Sequence, residues 1–287
     1  MPVILAPIGS MQHLSPDGAI SFAKAAAEFG TMMTMSLMSA PSIEEVAATT
    51  DAPKILQLYV QGDDAWVASV LQRTESAGYD AACLTVDSPY HGRHDRQLLN
   101  PLPARRPAVH RDGPNYLASV TWQTLDRIRA MTKLPFMLKG VMTGEDAALA
   151  VEHGVDHVWL SNHGGRQLDC AQGAIEVLPE VVAAVNGRAG VIFDSGVLRG
   201  TDVVKALALG ADVVAIGRLQ GWGMAAGGVA GLVRTLEILE NELISAMGLV
   251  GARCVDELDA SYVTPAPPVT PPHEMSAWVS LAEQRIL

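Results

Sequence analysis

The chain has 287 residues, with 20 Lys and Arg against 31 Asp and Glu, a formal net charge of −11. Hydrophobic residues make up 49% and charged residues 18%, which excludes a disordered chain, since that would be poorer in apolar groups and richer in charge. No apolar run approaches the roughly 18 residues that span a bilayer. The first charged residue is Asp17, so the basic segment of a secretory signal is missing. Nucleic acid is not an expected partner, because its phosphates demand Lys and Arg. Cys83, Cys170 and Cys254 lie far apart and fit neither a disulfide framework nor a CxxC zinc site. They suggest a reducing compartment, and a cytoplasmic, globular protein is expected.

Short apolar runs alternate with longer amphipathic stretches. The runs at 2–7, 31–36, 54–60, 81–87, 135–141, 157–163, 190–196 and 213–218 are near-continuously apolar and turn polar at their C-terminal ends. Strands buried on both faces of a parallel sheet read this way. After the first run, Ser15-Pro16-Asp17 predicts a helix start and Gly30 its stop. Ser42-Ile43-Glu44-Glu45 has the form of a capping box, and Thr143-Gly144-Glu145-Asp146 offers a weaker start of the same kind. Further helices are predicted over 63–78, 121–132, 172–187, 200–209 and 221–246. Eight strand–helix units in roughly 250 residues predict an α/β fold, a (β/α)8 TIM barrel. A doubly wound sheet has the same local pattern, but the count of eight and the lack of GxGxxG after the first strand favour the barrel.

Two segments break the alternation. Residues 88–120, rich in Pro and Arg, make too long a connection to be a mere link after the fourth strand. A solvated lid over the site is preferred there to a membrane-touching loop, despite Leu98, Leu99 and Leu102. The barrel is therefore placed at 1–262. A Pro-rich linker (TPAPPVTPP, 264–272) and a short helical tail around Trp278 and Leu281 fill 263–287. The tail is expected to pack on a neighbouring surface or on a second subunit.

In such a barrel the reactive groups come from the C-terminal ends of several strands. Those ends here offer Ser36, Gln57 and Tyr59, Thr85 and Asp87, Lys139, Ser161 and His163, Asp194, then Gly217 and Arg218. One or two could be strand-end caps. A ring of them, desolvated inside one barrel mouth, needs a ligand. The Gly-rich turns Asp194-Ser195-Gly196-Val197-Leu198-Arg199-Gly200 and Ile216-Gly217-Arg218 suit a phosphate at helix N-termini. Lys139 has no acidic neighbour in sequence, so its burial calls for an anionic ligand or cofactor. In Ser161-Asn162-His163-Gly164-Gly165-Arg166-Gln167-Leu168-Asp169, a histidine and an arginine three residues apart suit a substrate with a proton to lose and a carboxylate to hold.

That nonamer resembles the active-site signature of the FMN-dependent 2-hydroxy acid oxidases and dehydrogenases. The resemblance runs over residues 2–258 and includes APIGSMQ near the start, QLYV at 57–60, LTVDSP at 84–89, LKGV at 138–141 and RGTDVVKALALGA at 199–211. It implies FMN as cofactor and oxidation of a small (S)-2-hydroxy acid to the 2-oxo acid. It implies His163 as the base, Asp87 as partner of the imidazolium, Arg166 as clamp on the substrate carboxylate, and Tyr59 as a hydrogen-bonding group. It places Lys139 beside the flavin ring. Ser36, Gln57, Thr85, Ser161 and the backbone at Ile8 and Gly9 would contact the flavin, with Asp194, Ser195, Gly196, Gly217 and Arg218 at the ribityl and phosphate end. Dioxygen or a quinone would take the electrons, and a homo-oligomer of tetramer type is implied.

The chain departs from the family pattern in three places. Members carry several dozen residues before the first strand, including a tyrosine that helps hold the carboxylate; here the first strand begins at Pro2. The loop after strand four normally reads G-x-Arg, but this chain has Gly92-Arg93-His94, so either His94 or Arg93 takes the second carboxylate position. Leu198 replaces a phosphate-binding arginine, a loss that adjacent Arg199 could make good. A catalytically weakened flavin-binding or regulatory barrel is the alternative function. His91 and His94 near Asp95 are read as lid residues and no metal is expected. His153 and His157 are read as helix-terminal or satisfied. Among the methionines, Met38 is expected to line the substrate pocket.

Overall fold

A computed structural model describes residues 1–90, 92 and 114–266. The expectations for His91, Arg93, His94 and the tail around Trp278 and Leu281 fall outside the described residues. Eight parallel strands close into a barrel in chain order, β1 (Val3–Leu5), β2 (Met33–Ser36), β3 (Lys54–Leu58), β4 (Ala81–Thr85), β5 (Phe136–Val141), β6 (His157–Leu160), β7 (Gly190–Phe193) and β8 (Val213–Ile216). β8 pairs back onto β1 with Ile4 opposite Ala215. Each expected strand is present, and most end two or three residues early, because the polar tails leave the ladder to enter the loops.

The helices are α1 (Ala19–Phe29), α2 (Ile43–Ala47), α3 (Asp64–Ser76), α4 (Trp122–Ala130), α5 (Gly144–Glu152), α6 (Ala174–Val185), α7 (Gly200–Ala208) and α8 (Arg218–Val250). The capping box at Ser42 forms, and Thr143 accepts from the Asp146 amide. The expected start at Ser15-Pro16-Asp17 is corrected: these residues form a turn, and α1 begins after Gly18. Gly18 takes φ 53°, and a Cβ there would lie 2.1 Å from the Ala40 carbonyl oxygen, so only glycine can open this helix. Ser15 instead shares a 2.7 Å hydrogen bond with Ser21. α8 exceeds its expected range at both ends and breaks internally at Gly227 and Gly228.

Alternation along the strands sorts the side chains into two apolar bodies. Leu56, Leu84, Leu138, Val158 and Phe193 point outward into the layer shared with the helices. Ile4, Ile55, Cys83, Met137, Trp159, Ile192 and Ala215 point inward and plug the barrel. At the opposite end from the site, a repeated device sets the strand starts. Gly78-Tyr79-Asp80, Gly154-Val155-Asp156 and Gly210-Ala211-Asp212 precede β4, β6 and β8. Each aspartate accepts from the backbone of the preceding strand: Asp80 from Lys54 at 2.8 Å, Asp156 from Phe136 at 2.7 Å, and Asp212 from Val191 at 2.7 Å. Carboxylate acceptors thus satisfy amides that the staggered ladder leaves without partners.

Asp212→Ala leaves the Val191 amide unpaired, and an unmet donor of this kind costs about 1–2 kcal/mol. Urea unfolding of the variant should show that loss with an unchanged m-value.

Candidate active site

The inward face of the strands carries the site. Ile55, Cys83, Met137, Trp159, Ile192 and Ala215 belong to the apolar plug. Two residues further along each strand, on the same face and one layer nearer the mouth, stand Gln57, Thr85, Lys139, Ser161, Asp194 and Gly217. The first five of these are buried. Strand register seats Ser36 against Gln57 and Thr85 against Lys139.

Lys139 is 4% exposed and sits at the centre. Its Nζ donates to Ser161 Oγ at 2.8 Å and lies 3.3 Å from Asp194 and 3.9 Å from Asp87. It also lies 5.7 Å from the centroid of the Trp159 ring, within cation–π range. Burial pushes its pKa down most strongly, but Asp194 and then Asp87 outweigh it, and the ammonium titrates above the ordinary lysine range. Lys139 has no acidic neighbour in sequence, but the inference that its burial calls for an anionic ligand or cofactor is corrected, since the barrel itself brings two carboxylates to it from the ends of β4 and β7. Asp194 is saturated. Its Oδ1 accepts from Ser161 at 2.6 Å and Ser195 at 2.7 Å, and its Oδ2 accepts from Trp159 Nε1 at 2.9 Å. Beneath them, burial pushes the Cys83 thiol up to about 12, so it stays protonated and unreactive.

One step further out stand Asp87 and His163. Asp87 follows β4 by two residues, and Gly140 makes room for it: a Cβ at Gly140 would fall 2.6 Å from the Asp87 Cβ. His163 follows Ser161 by two and has a left-handed backbone, φ 56°, as do Gly164 and Gly165 after it. This reversal brings His163 Nδ1 within 2.8 Å of Asp87 Oδ1. Burial acts first on Asp87 and would raise its pKa; the hydrogen bond from His163 and the charge of Lys139 prevail, and the carboxyl lies below its ordinary range. Ser88 Oγ donates to the same oxygen at 2.9 Å and lies 3.3 Å from the imidazole Nδ1. Tyr59 is largely buried beside this pair, and burial, then Asp87, raise its phenol.

The turn carrying His163 is held from several sides. Ser161 Oγ accepts from the His163 amide at 3.1 Å, and Ser195 Oγ accepts from the Asn162 and Gly164 amides, each at 3.2 Å. Ser195 holds φ 91°, a strained value for a residue with a side chain. Arg218 Nη2 donates to the Gly164 carbonyl at 3.1 Å.

The other expected site residues divide as follows. Ser36 donates to Gln57 Oε1 at 2.7 Å, and the Ile8 carbonyl accepts from Ser39 at 2.7 Å, with Gly9 packed against the Met38 Cβ. Met38 is 45% exposed and receives Gln61 on its sulfur. Gly196 and Gly217 turn with open space where a Cβ would stand. Arg166 lies exposed on the turn after His163. Arg199 departs from its expected phosphate contact: its guanidinium makes a bidentate pair with Glu242 of α8, at 3.0 and 2.7 Å, in the outer helix layer. His157 is corrected too, because its buried Nδ1 has no partner among the described residues. Ser88, Gln167, Gly140 and Trp159 escaped the residue-by-residue reading. Ser88 and Gln167 adjoin residues that it named.

Two buried groups at the mouth, Gln57 Nε2 and Thr85 Oγ1, lack hydrogen-bond partners among the described residues. A planar heteroaromatic ring with carbonyl and nitrogen acceptors would satisfy them, and Lys139 supplies the cation beside it. These residues fit a flavin. Among the described residues no helix is long and apolar enough to cross a membrane.

Residues 1–265 match the model of the FMN-dependent dehydrogenase family. The chain is 39% identical over 290 residues to the L-lactate oxidase of Nostoc sp., covering 92% of this chain and 79% of the relative. It is 39% identical over 284 residues to the glycolate oxidase of Spinacia oleracea, with 92% and 77% covered. A structure of mandelate oxidase with 3,3-difluoro-2-hydroxy-3-phenylpropionic acid superposes with a TM-score of 0.83 at 38% identity, covering 91% of this chain and 77% of that one. The polar ring on a closed parallel barrel and the match along nearly the whole described chain agree, and the protein belongs to the FMN-dependent dehydrogenase family, as an FMN-dependent oxidoreductase.

Proposed function

We propose that the protein oxidises a small (S)-2-hydroxy acid to the 2-oxo acid, with His163 as the base and Arg166 as the clamp on the substrate carboxylate. The 2.8 Å contact between His163 Nδ1 and Asp87 carries this reading. Asp87 titrates below its ordinary range and so accepts only, which makes Nδ1 the donor and leaves the Nε2 lone pair for substrate. Lys139, Asp87 and Asp194 together carry one net negative charge before reaction. A proton taken from the hydroxy acid onto His163 cancels it. The inner site therefore favours the imidazolium when the substrate gives up its proton. The chemistry that FMN supplies when bound is acceptance of the two electrons the substrate loses. Gln57, Thr85 and Lys139 would hold its ring, with Gly196, Gly217 and Arg218 at the phosphate end. Tyr59 stays a neutral donor beside the substrate.

The relatives named as lactate, glycolate and mandelate oxidases support the substrate class and favour dioxygen as acceptor over a quinone. Cytoplasmic location agrees with three unpaired cysteines. A homo-oligomer agrees with the exposed Ile238, Ile244 and Leu249 on α8.

The direct test is an anaerobic panel of lactate, glycolate and mandelate read at the flavin band. One of them should bleach the colour and air should restore it; a yellow protein that none bleaches overturns the proposal. His163→Ala should keep its flavin and lose reduction by about 10³-fold, and near-wild-type reduction would remove the base assignment. Arg166→Met forfeits a charged hydrogen bond, so its KM should rise roughly 10- to 100-fold with flavin affinity intact. The opposite pattern would remove the clamp. Ion pairing of Asp87 stabilises the fold at neutral pH, because its depressed pKa means the unfolded chain takes the proton first as pH falls. That contribution is lost below the ordinary aspartate range as pH passes through the depressed value. Asp87→Asn should flatten this acid limb in a pH series of thermal melts.

A further inference from the structure

Resting on the base assignment above, we infer that Gln167 is a positioning residue that clasps the loop after β4 onto the turn carrying His163, and that it holds Asp87 and His163 in register through Ser88. Gln167 uses both ends of its amide. Nε2 donates to Ser88 Oγ at 2.8 Å, and Oε1 accepts from the Gly92 amide at 3.0 Å. Ser88 passes the contact on: its Oγ accepts from Gln167 and donates to Asp87 Oδ1 at 2.9 Å, the oxygen that pairs with His163.

The backbone corroborates the clasp. Gly92 lies flush on the turn, and a Cβ there would come within 2.2 Å of the Arg166 carbonyl oxygen and 2.5 Å of that of Gln167. Position 92 can carry no side chain, so the separation of the two loops is set by direct contact and by the amide bridge of Gln167. Asp87 and His163 are 76 residues apart in sequence and stand on the loops that follow different strands. Their 2.8 Å contact depends on the relative placement of two loops, which short strands alone leave adjustable. Gln167 faces Asp87 through the hydroxyl, not directly, so its effect reaches the reacting atoms only through the geometry of the pair.

The FMN-loaded protein provides the test, by stopped-flow reduction under anaerobic conditions with whichever acid bleaches the wild type. Gln167→Leu should keep flavin affinity and slow reduction on the order of 10- to 100-fold, the scale of a small misplacement of a catalytic pair. Its loss should fall on kcat more than on KM. The acid limb of its rate profile should move to lower pH, because a loosened Asp87 holds the imidazolium less firmly. The downfield proton resonance of the His163 Nδ1–H should weaken. Ser88→Ala should reproduce these changes and Ser88→Thr should reverse them, so the clasp stays testable even where Gln167→Leu folds poorly. His163→Ala, run in parallel, separates the two readings. If His163→Ala is inactive while Gln167→Leu and Ser88→Ala match the wild type in rate, pH limb and resonance, the clasp is wrong and the base assignment stands. If His163→Ala reduces normally, the base assignment falls and takes the clasp with it.

Discussion

A lysine ammonium buried at the mouth of the barrel is the constraint around which the site is arranged. Lys139 cannot keep its charge in that setting without anions, and Asp87 and Asp194 arrive from just beyond the ends of β4 and β7 to supply them. Asp194 in turn needs donors for both oxygens and takes them from Ser161, Ser195 and Trp159. Asp87 takes His163 and Ser88. Satisfying one cation thus draws in polar groups from β4, β5, β6 and β7 and leaves the imidazole oriented by a carboxylate. The electrostatics of the fold and of the proposed chemistry are one network.

Glycines define where that network can exist. Gly140 lets the Asp87 side chain approach the fifth strand, where the ladder register shifts between Lys139 and Val141. Gly92 lets two loops touch backbone to backbone. Neither is part of the proposed chemistry, yet a methyl group at either would displace a residue of the proposed site. The left-handed run from His163 through Gly165 works in the same way, turning the chain sharply enough for the imidazole to reach back. Ser195 shows a different balance: its positive φ carries a cost that glycine would avoid, and its hydroxyl makes three hydrogen bonds there.

Much of this was legible beforehand, for identifiable reasons. Runs such as 81–87 and 190–196 announce buried parallel strands, and their count predicts closure. Each apolar run turns polar where it stops, so Gln57, Thr85, Lys139, Ser161 and Asp194 could be named without coordinates. The helix start at Ser15 misled because Gly18, whose role comes from the distant Ala40 carbonyl, overrides a good local cap. Arg199 misled because Glu242 lies 43 residues away on α8 and competes for the same guanidinium.

The sequence by itself determined the alternation, the class of fold and the inventory of polar groups at the mouth, since each depends on residues within a few positions of one another. Tertiary structure alone decided which of those groups neutralise each other. Ion pairs and hydrogen bonds between Lys139 and Asp194, Asp87 and His163, or Gln167 and Gly92 join residues more than fifty positions apart. Such contacts are set by barrel closure and loop placement, and no local pattern encodes a distance of three ångströms across a closed sheet.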